Sequence, residues 1–178
     1  MKKHCFLLAI LLIGVHLNGF TQKKSTKTIT LSDSMEVLSI NTMITAVYDI
    51  LSGPAGERNW TKLRFFCLPG ATFISLKEKK SGEREFFQGT LDDFIKMIDP
   101  VLKQHDYYEN EIERNVQTAD NIANVFSTFE STLFNKDGTT TNQRGVNSFQ
   151  LIYKEGRWWI ANIVWKNEPH DIFPEPGR

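Results

Sequence analysis

Residues 153–165 read YKEGRWWIANIVW, a segment with apolar side chains on both faces of a predicted β-strand. One face carries Trp159, Ala161, Ile163 and Trp165, and the other carries Trp158, Ile160 and Val164, with Asn162 as the interruption. A strand in a solvated sheet alternates apolar with polar residues because only one of its faces is buried. We therefore expect both faces of this strand to be covered.

Period-two patterns extend from this segment back to residue 108. They predict strands at about 108–118, 121–133, 144–153 and 157–166, separated by turn-forming residues. Before residue 103 the periodicity is mainly helical. It predicts a first helix capped by Asp33 or Ser34, a second around residues 60–66, a strand at 71–78 and a third helix from Thr90, with Asp93 completing a capping box. Three helices followed by a mostly antiparallel sheet predict an α+β fold.

The first 21 residues have the layout of a secretory signal peptide. Lys2 and Lys3 precede an apolar run from Phe6 to Leu17, which is short for a membrane span. An uncleaved anchor is the alternative. We expect cleavage, a secreted or periplasmic protein, and no membrane contact afterwards. The remaining chain divides into a flexible lead-in at 22–32, a folded domain at 33–167 and a Pro-rich tail at 168–178.

Composition excludes several classes of partner. Without Lys2 and Lys3, 19 basic residues face 21 acidic ones, so the net charge is about −2 and no nucleic-acid partner is expected. Cys67 is then the only cysteine, which excludes an internal disulfide. No histidine has metal-ligand spacing to the glutamates at 109, 111 and 113, so we expect neither metal nor cofactor.

Turn chemistry predicts which residues share a face of the sheet. A two-residue turn at Asp120-Asn121 pairs Asn115 with Phe126, and a three-residue loop with a left-handed Gly156 pairs Tyr153 with Arg157. One face then combines carboxylates, amides and aromatic side chains, as a ligand cavity does. It carries Glu109, Glu111, Glu113, Asn124, Phe126, Thr128, Asn147, Phe149, Trp159, Ala161 and Ile163. The alternative is that this face is exposed to solvent.

Two stretches, ERNWTKLRFFCLPGATFI at 57–74 and RGVNSFQLIYKEGRWWIANIVW at 144–165, carry a family resemblance. Over residues 36–167 the chain resembles the nuclear transport factor 2-like superfamily, in particular its small SnoaL-like bacterial proteins and ketosteroid isomerase. The resemblance implies a cone-shaped, cystatin-like fold, with three N-terminal helices packed on a curved, mostly antiparallel sheet and a pocket at the open end. Enzymes, binding proteins and dimerisation modules share this fold, so it does not define a function.

The resemblance to ketosteroid isomerase also indicates three pocket positions. The general base of that enzyme falls at Ser75, its tyrosine at Val47 beside Tyr48, and its protonated aspartate at Asn147. A serine without a partner base does not accept a proton from a carbon acid. Steroid isomerisation by that route is therefore not expected.

Two functions fit these observations, and a dimerisation module without a ligand is a third, structural option. The first is binding of a small apolar or amphipathic molecule in the cone, by Tyr48, Trp60, Glu111, Asn124, Phe126, Asn147 and Phe149. The second is an isomerase, dehydratase or hydrolase, with Glu111 or Glu109 as base and Tyr48 or Asn147 as hydrogen-bond donor. A buried carboxyl group suits proton transfer because burial raises its pKa.

A homodimer is expected as well, since the resemblance implies sheet-to-sheet pairing. Trp158, Ile160 and Val164 are predicted to form an apolar patch on the outer face of the sheet. Contiguous apolar surface of this kind is uncommon on a soluble monomer. We expect a second subunit to cover it.

Overall fold

The structure, a computed structural model, describes residues 27–78 and 82–168. Within them the order is α1 (Leu31–Glu36), α2 (Ile40–Leu51), α3 (Trp60–Phe66), β1 (Cys67–Glu78), β2 (Arg84–Thr90), α4 (Leu91–Leu102), β3 (Tyr107–Ala119), β4 (Ile122–Phe134), β5 (Thr140–Lys154) and β6 (Arg157–Asn167). The strands form one curved sheet in the order β2-β1-β6-β5-β4-β3. Neighbouring strands are antiparallel except for the described pair β1 and β6. The α+β class is confirmed.

The first predicted helix is in fact two helices, α1 and α2. The Thr30 hydroxyl accepts a bond from the Asp33 backbone N–H, and the Asp33 carboxylate accepts one from the Thr30 backbone N–H at 2.7 Å. This capping box starts α1 at Leu31, inside the segment expected to be a flexible lead-in. The prediction that the helix starts at Asp33 or Ser34 was wrong, because Asp33 completes the cap instead of forming it.

The predicted capping box of α4 is confirmed. The Thr90 hydroxyl accepts a bond from the Asp93 backbone N–H, and the Asp93 carboxylate accepts one from the Thr90 backbone N–H at 2.9 Å. Strand β2, which ends at this cap, was not predicted. It is an edge strand that pairs, among the described strands, with β1 alone. Its side chains are mostly exposed, so its sequence lacks the alternation that burial imposes.

The core lies between the helices and one face of the sheet, which we call the inner face. Met43 and Ile44 of α2 and Phe66 of α3 are fully buried against Val125 and Phe149 of the sheet. Burying each such side chain contributes about 1.5–3 kcal/mol relative to leaving it exposed. The opposite, outer face of the sheet is more exposed, and Phe126 there keeps 52% of its surface accessible.

A β-bulge in β3 changes which residues reach the inner face. Glu111 pairs with Phe129 and Glu113 pairs with Thr128, so Ile112 is the extra residue. Before the bulge, Glu109 and Glu111 point inward, and after it Glu113 points outward. The predicted pairing of Asn115 with Phe126 is confirmed, but both residues lie on the outer face.

The hairpin between β5 and β6 has a two-residue turn, not the predicted three-residue loop. Glu155 and Gly156 both have positive φ, at 56° and 78°, and Lys154 pairs with Arg157. The sequence prediction rejected this turn because a glutamate rarely adopts positive φ. A turn with two positive φ angles matches the twist of the flanking strands, and that match outweighs the local strain.

A second bulge, at Ala161, splits the apolar residues of β6 between the two faces. Leu151 pairs with Ile160 and Gln150 pairs with Asn162. Ile160 is therefore fully buried in the core, at 0% exposure, and Trp158 also packs against the core. The predicted outer patch was wrong for these two residues, because it assumed an unbroken strand. Of the three, Val164 stays on the outer face.

None of the helices in the described ranges is both long enough and apolar enough to cross a bilayer. The predicted signal peptide at 1–21 lies outside the described residues, as does the Pro-rich tail after residue 168.

Candidate functional site

A cavity of about 380 Å³ lies between the helices and the inner face of the sheet. This size is within the range of small-molecule sites in proteins. Its apolar lining comes from Val47, Leu51, Leu63, Phe73, Phe94, Met97, Ile98, Val101, Leu102, Phe129, Leu133, Phe149, Ile163 and Trp165. Its polar lining comes from Ser75, Tyr107, Glu109, Ser131, Thr141, Gln143, Asn147 and Asn167.

The mouth of the cavity lies along α4. Met97 and Val101 line the cavity and are also 43% and 37% exposed, so they connect its interior to solvent. Below them, Phe94 stacks on Phe73 with ring centroids 5.0 Å apart and meets Trp165 edge-on at 5.6 Å. Contacts of this geometry hold the aromatic wall in a fixed arrangement.

Glu109 is the carboxyl group of the cavity wall. Its side chain comes from β3, and the residue is 7% exposed. The Tyr107 hydroxyl donates to Oε2 at 2.5 Å, and Asn147 Nδ2 donates to Oε1 at 3.3 Å. Burial raises the pKa of Glu109, and these two hydrogen bonds oppose the rise only in part.

Tyr48 lies behind Asn147, away from the cavity. Asn147 Nδ2 donates to the Tyr48 hydroxyl oxygen at 3.0 Å, and the Tyr48 and Ser127 hydroxyl oxygens are 2.6 Å apart. Ser127 donates to the Glu111 carboxylate, so the Tyr48 hydroxyl is the donor to Ser127. Burial raises the pKa of Tyr48 to about 12, and the group therefore remains a neutral hydrogen-bond donor.

Glu111 is held outside the cavity by an arginine. Arg114 Nε donates to Glu111 Oε1 at 2.8 Å, and Nη2 donates to the other carboxylate oxygen. The same guanidinium donates to the Asn41 backbone oxygen at 2.8 Å and to the Thr45 hydroxyl at 3.1 Å. Glu111 is thus neutralised and used to join β3 to α2.

No family model matches the chain, and no curated protein sequence matches it either. Solved structures do match. A nuclear transport factor 2-like superfamily protein from Salmonella enterica subsp. enterica serovar Typhimurium str. LT2 is 13% identical, with a TM-score of 0.52, over 82% of this chain and 96% of that one. A protein with a cystatin-like fold from Caulobacter vibrioides is 13% identical, with a TM-score of 0.54, over 77% and 92%.

The chain has the nuclear transport factor 2-like fold. A scytalone dehydratase-like protein from Novosphingobium aromaticivorans shares the fold as well, at 12% identity and a TM-score of 0.58, over 79% of this chain and 89% of that one. At such identities the likeness establishes the fold alone. The chemistry has to be argued from this chain's own residues.

Within this nuclear transport factor 2-like fold, the three positions indicated by ketosteroid isomerase all line the cavity. They are Val47, Ser75 and Asn147. None of them carries a carboxyl group in this chain. The carboxyl group is supplied instead by Glu109, the predicted alternative to Glu111 as base.

The predicted ligand-binding residues occupy several places in the nuclear transport factor 2-like cone. Asn147 and Phe149 line the cavity, while Tyr48 and Glu111 belong to the hydrogen-bond chain behind it. Trp60 is not among the described lining residues. Its Nε1 donates to Asp99 Oδ1 at 2.6 Å, and its ring packs edge-on against Phe94.

Asn124 and Phe126 do not belong to the cavity, contrary to the prediction. Val125 pairs with Phe149 and Ser127 pairs with Asn147, so their neighbours on β4 face outward. The long loop between β4 and β5 does not determine which residues of the two strands lie opposite each other. The predicted pairing was off by one residue, and this placed both side chains on the wrong face.

Five polar lining residues were not predicted: Tyr107, Ser131, Thr141, Gln143 and Asn167. A sequence signal for Tyr107 was available, because it lies two residues before Glu109 and so shares its face on a strand. For a metal, the structure offers nothing in the two described ranges, where no three His, Cys, Asp or Glu side chains are grouped to hold an ion.

Proposed function

We propose that this protein binds a small apolar or amphipathic molecule in the cavity of its cone. The observation that carries the proposal is a pre-formed, mainly apolar cavity whose polar groups lie along the sheet wall. Burying about 200 Å² of apolar ligand surface contributes roughly 5 kcal/mol before the cost of association. The polar wall orients the bound molecule, because an unpaired polar group at Glu109 or Asn147 would be costly.

Blocking the cavity mouth tests the proposal. N-phenyl-1-naphthylamine is a neutral probe that fluoresces in apolar surroundings, and we expect saturable binding to the wild-type protein. Met97→Trp and Val101→Trp add bulk at the mouth and should weaken binding at least about tenfold, a loss of about 1.4 kcal/mol. Lys96→Trp, on an exposed position of the same helix, is the matched control and should bind normally. Equal binding by all three variants would contradict the proposal.

A second candidate function is catalysis with Glu109 as general base. The buried carboxyl group with raised pKa favours it, since a base with a pKa nearer neutrality is better matched to proton transfer. Proton abstraction from 5-nitrobenzisoxazole reports on a buried base in any accessible cavity. We expect the wild-type protein to accelerate ring opening and Glu109→Gln to lose that rate, while Glu113→Gln on the outer face retains it. A wild-type rate no higher than that of Glu109→Gln would rule this function out.

We also propose that the protein acts outside the cytoplasm, after cleavage near residue 21. The basic start and short apolar run of the sequence support this location. Sequencing the N-terminus of protein recovered from the periplasm or medium should find a start between residues 20 and 25. An intact Met1 on membrane-bound material would contradict the proposal.

The homodimer is proposed with a revised interface on the outer sheet face. Phe126 and Val146 are exposed there, Val164 is half-buried, and β4, β5 and β6 place them on adjacent strands. Sedimentation velocity at micromolar concentration should give a dimer for the wild-type protein and a folded monomer for Phe126→Asp. A monomeric wild-type protein would overturn the proposal.

A further inference from the structure

We propose that the cavity selects an apolar molecule bearing a protonated amine, which pairs with Glu109. This inference deepens the proposed binding function and rests on it. It names the charge class of the ligand from the arrangement of donors and acceptors in the cavity wall.

The charge of the wall favours a cation. Among the described lining residues Glu109 is the only carboxylate, and none is a lysine, arginine or histidine. Two arginines with mostly buried side chains are bound elsewhere. Arg114 pairs with Glu111, and Arg58 donates to the backbone oxygens of Leu51, Gly53, Pro54 and Gly56. An anionic ligand would meet one negative group and no positive partner, which is a costly arrangement in a buried site.

The hydrogen bonds around Glu109 leave acceptors, not donors, for a ligand. The Tyr107 hydroxyl hydrogen is already donated to Glu109. Asn147 Nδ2 donates to both Glu109 and Tyr48, so the group left to Asn147 is its amide oxygen, another acceptor. A carboxylate has about four lone-pair sites, and these two bonds occupy two of them. An ammonium group, with its several N–H donors, complements such a site.

The aromatic part of the cavity lining suits the remainder of a cationic ligand. Phe73, Phe94 and Trp165 line the cavity in mutual contact. Aromatic faces attract cations through their quadrupole and also bury hydrocarbon. A cavity that combines one carboxylate with aromatic rings can therefore hold both ends of an apolar amine. The raised pKa of Glu109 agrees with this, because its surroundings supply no counter-charge and a bound ammonium would supply one.

A matched ligand series on one carbon skeleton tests the inference. At neutral pH 1-naphthylmethylamine is cationic, 1-naphthylmethanol is neutral and 1-naphthoate is anionic. Calorimetric titration of the wild-type protein should rank the amine about tenfold or more above the alcohol, as a charge-assisted hydrogen bond predicts, with the naphthoate weakest. Met97→Trp should remove amine binding and thereby place it in the cavity.

Glu109→Gln keeps the shape of the side chain and removes its charge. It should lower amine affinity about tenfold and leave the alcohol within about threefold, whereas Glu113→Gln should keep the wild-type preference. If Glu109→Gln does not fold, the ligand series on the wild-type protein still decides.

The outcomes separate the two proposals. Alcohol or naphthoate binding as tightly as the amine overturns the amine inference and leaves the binding function standing. The same holds if N-phenyl-1-naphthylamine binds and the amine does not. If neither that neutral probe nor any member of the series binds, the proposed function itself fails, and the inference fails with it.

Discussion

Glu109 and Glu111 lie two residues apart on the inner face of β3, yet their surroundings differ completely. Glu111 is held by the guanidinium of Arg114 and takes part in joining β3 to α2. Glu109 meets only neutral donors and borders the cavity. Residue type, strand and face are the same for both. The presence of a cation within reach therefore decides whether a carboxyl group stabilises the fold or remains available to a ligand.

Glu109 and Glu111 are connected through neutral side chains. Asn147, Tyr48 and Ser127 form a hydrogen-bonded chain from Glu109 to Glu111. The chain keeps the two carboxylates apart and gives each side chain between them at least one hydrogen-bond partner. Mutations along it should consequently have different effects at its two ends.

The largest loss of stability is expected at Glu111, the end of the chain that is paired with Arg114. Arg114→Leu should lower the free energy of unfolding by about 3 kcal/mol, because Glu111 is left mostly buried without its counter-charge. Urea denaturation followed by circular dichroism measures the loss. Arg144→Leu is the matched control, since Arg144 faces Glu168 at 3.9 Å in a looser pair, and it should cost less than about 1 kcal/mol. Similar losses of unfolding free energy for both variants would show that the Arg114–Glu111 pair stabilises the fold no more than the Arg144–Glu168 pair does.

A smaller effect is expected in the middle of the chain. Tyr48→Phe removes one buried hydroxyl, so Ser127 loses the donor to its oxygen and Asn147 Nδ2 loses one of its two acceptors, at a cost of about 1–3 kcal/mol. Tyr153→Phe, at a more exposed position, should change stability by less than about 0.5 kcal/mol. The same denaturation assay compares the two. A neutral Tyr48→Phe would mean that water replaces the hydroxyl group and that the chain is not closed.

The smallest effect is expected at Glu109, the end of the chain without a cation, and it is a dependence of protein stability on pH. The pKa of Glu109 in the folded protein is raised above its ordinary value of 4.5 by burial, so the folded state binds the proton more tightly than the unfolded state. Wild-type stability should therefore fall relative to Glu109→Gln as pH rises above 4.5, and the difference should become constant above the folded-state pKa. Tyr107 and Tyr48 also face this group, and both remain neutral in that range because burial raises their pKa values.

Thermal unfolding of both proteins across this pH range measures the difference. Glu113→Gln, on the exposed outer face, should run parallel to the wild-type protein. If the unfolding temperature of Glu109→Gln also changes with pH in parallel with that of the wild-type protein, Glu109 is not desolvated.

Much of the fold could be predicted from period and turn chemistry. The four C-terminal strands, α3 and the Thr90 cap followed from local patterns that burial imposes on sequence. Strand β2 did not, because an edge strand with exposed side chains carries no such pattern. The positive φ of Glu155 did not either, because there the twist of two whole strands overrides the preference of one residue.

The site was predictable only in part, because the sequence does not show on which face of a strand each side chain lies once a bulge interrupts the alternation. Bulges at Ile112 and Ala161 each shift one residue, and every residue beyond a bulge then changes face. The prediction treated β3 as regular and assumed the wrong pairing of β4 with β5, so Phe126 was placed inside. It also treated β6 as regular, so Ile160 was placed outside. Asn147 and Phe149 were placed correctly, since they lie on a strand segment without a bulge. No local sequence signal marks Ile112 or Ala161 as extra residues.

The bulge at Ile112 also determines the charge inside the cone. In a regular β3 of the same length, Glu113 would lie inward beside Glu109 and Glu111, and Arg114 would turn outward, away from α2. The extra residue therefore keeps a third carboxyl group out of the interior and brings in the arginine that pairs with Glu111. Deleting Ile112 alone would keep both faces as they are, because Glu111 and Glu113 would still lie opposite Phe129 and Thr128.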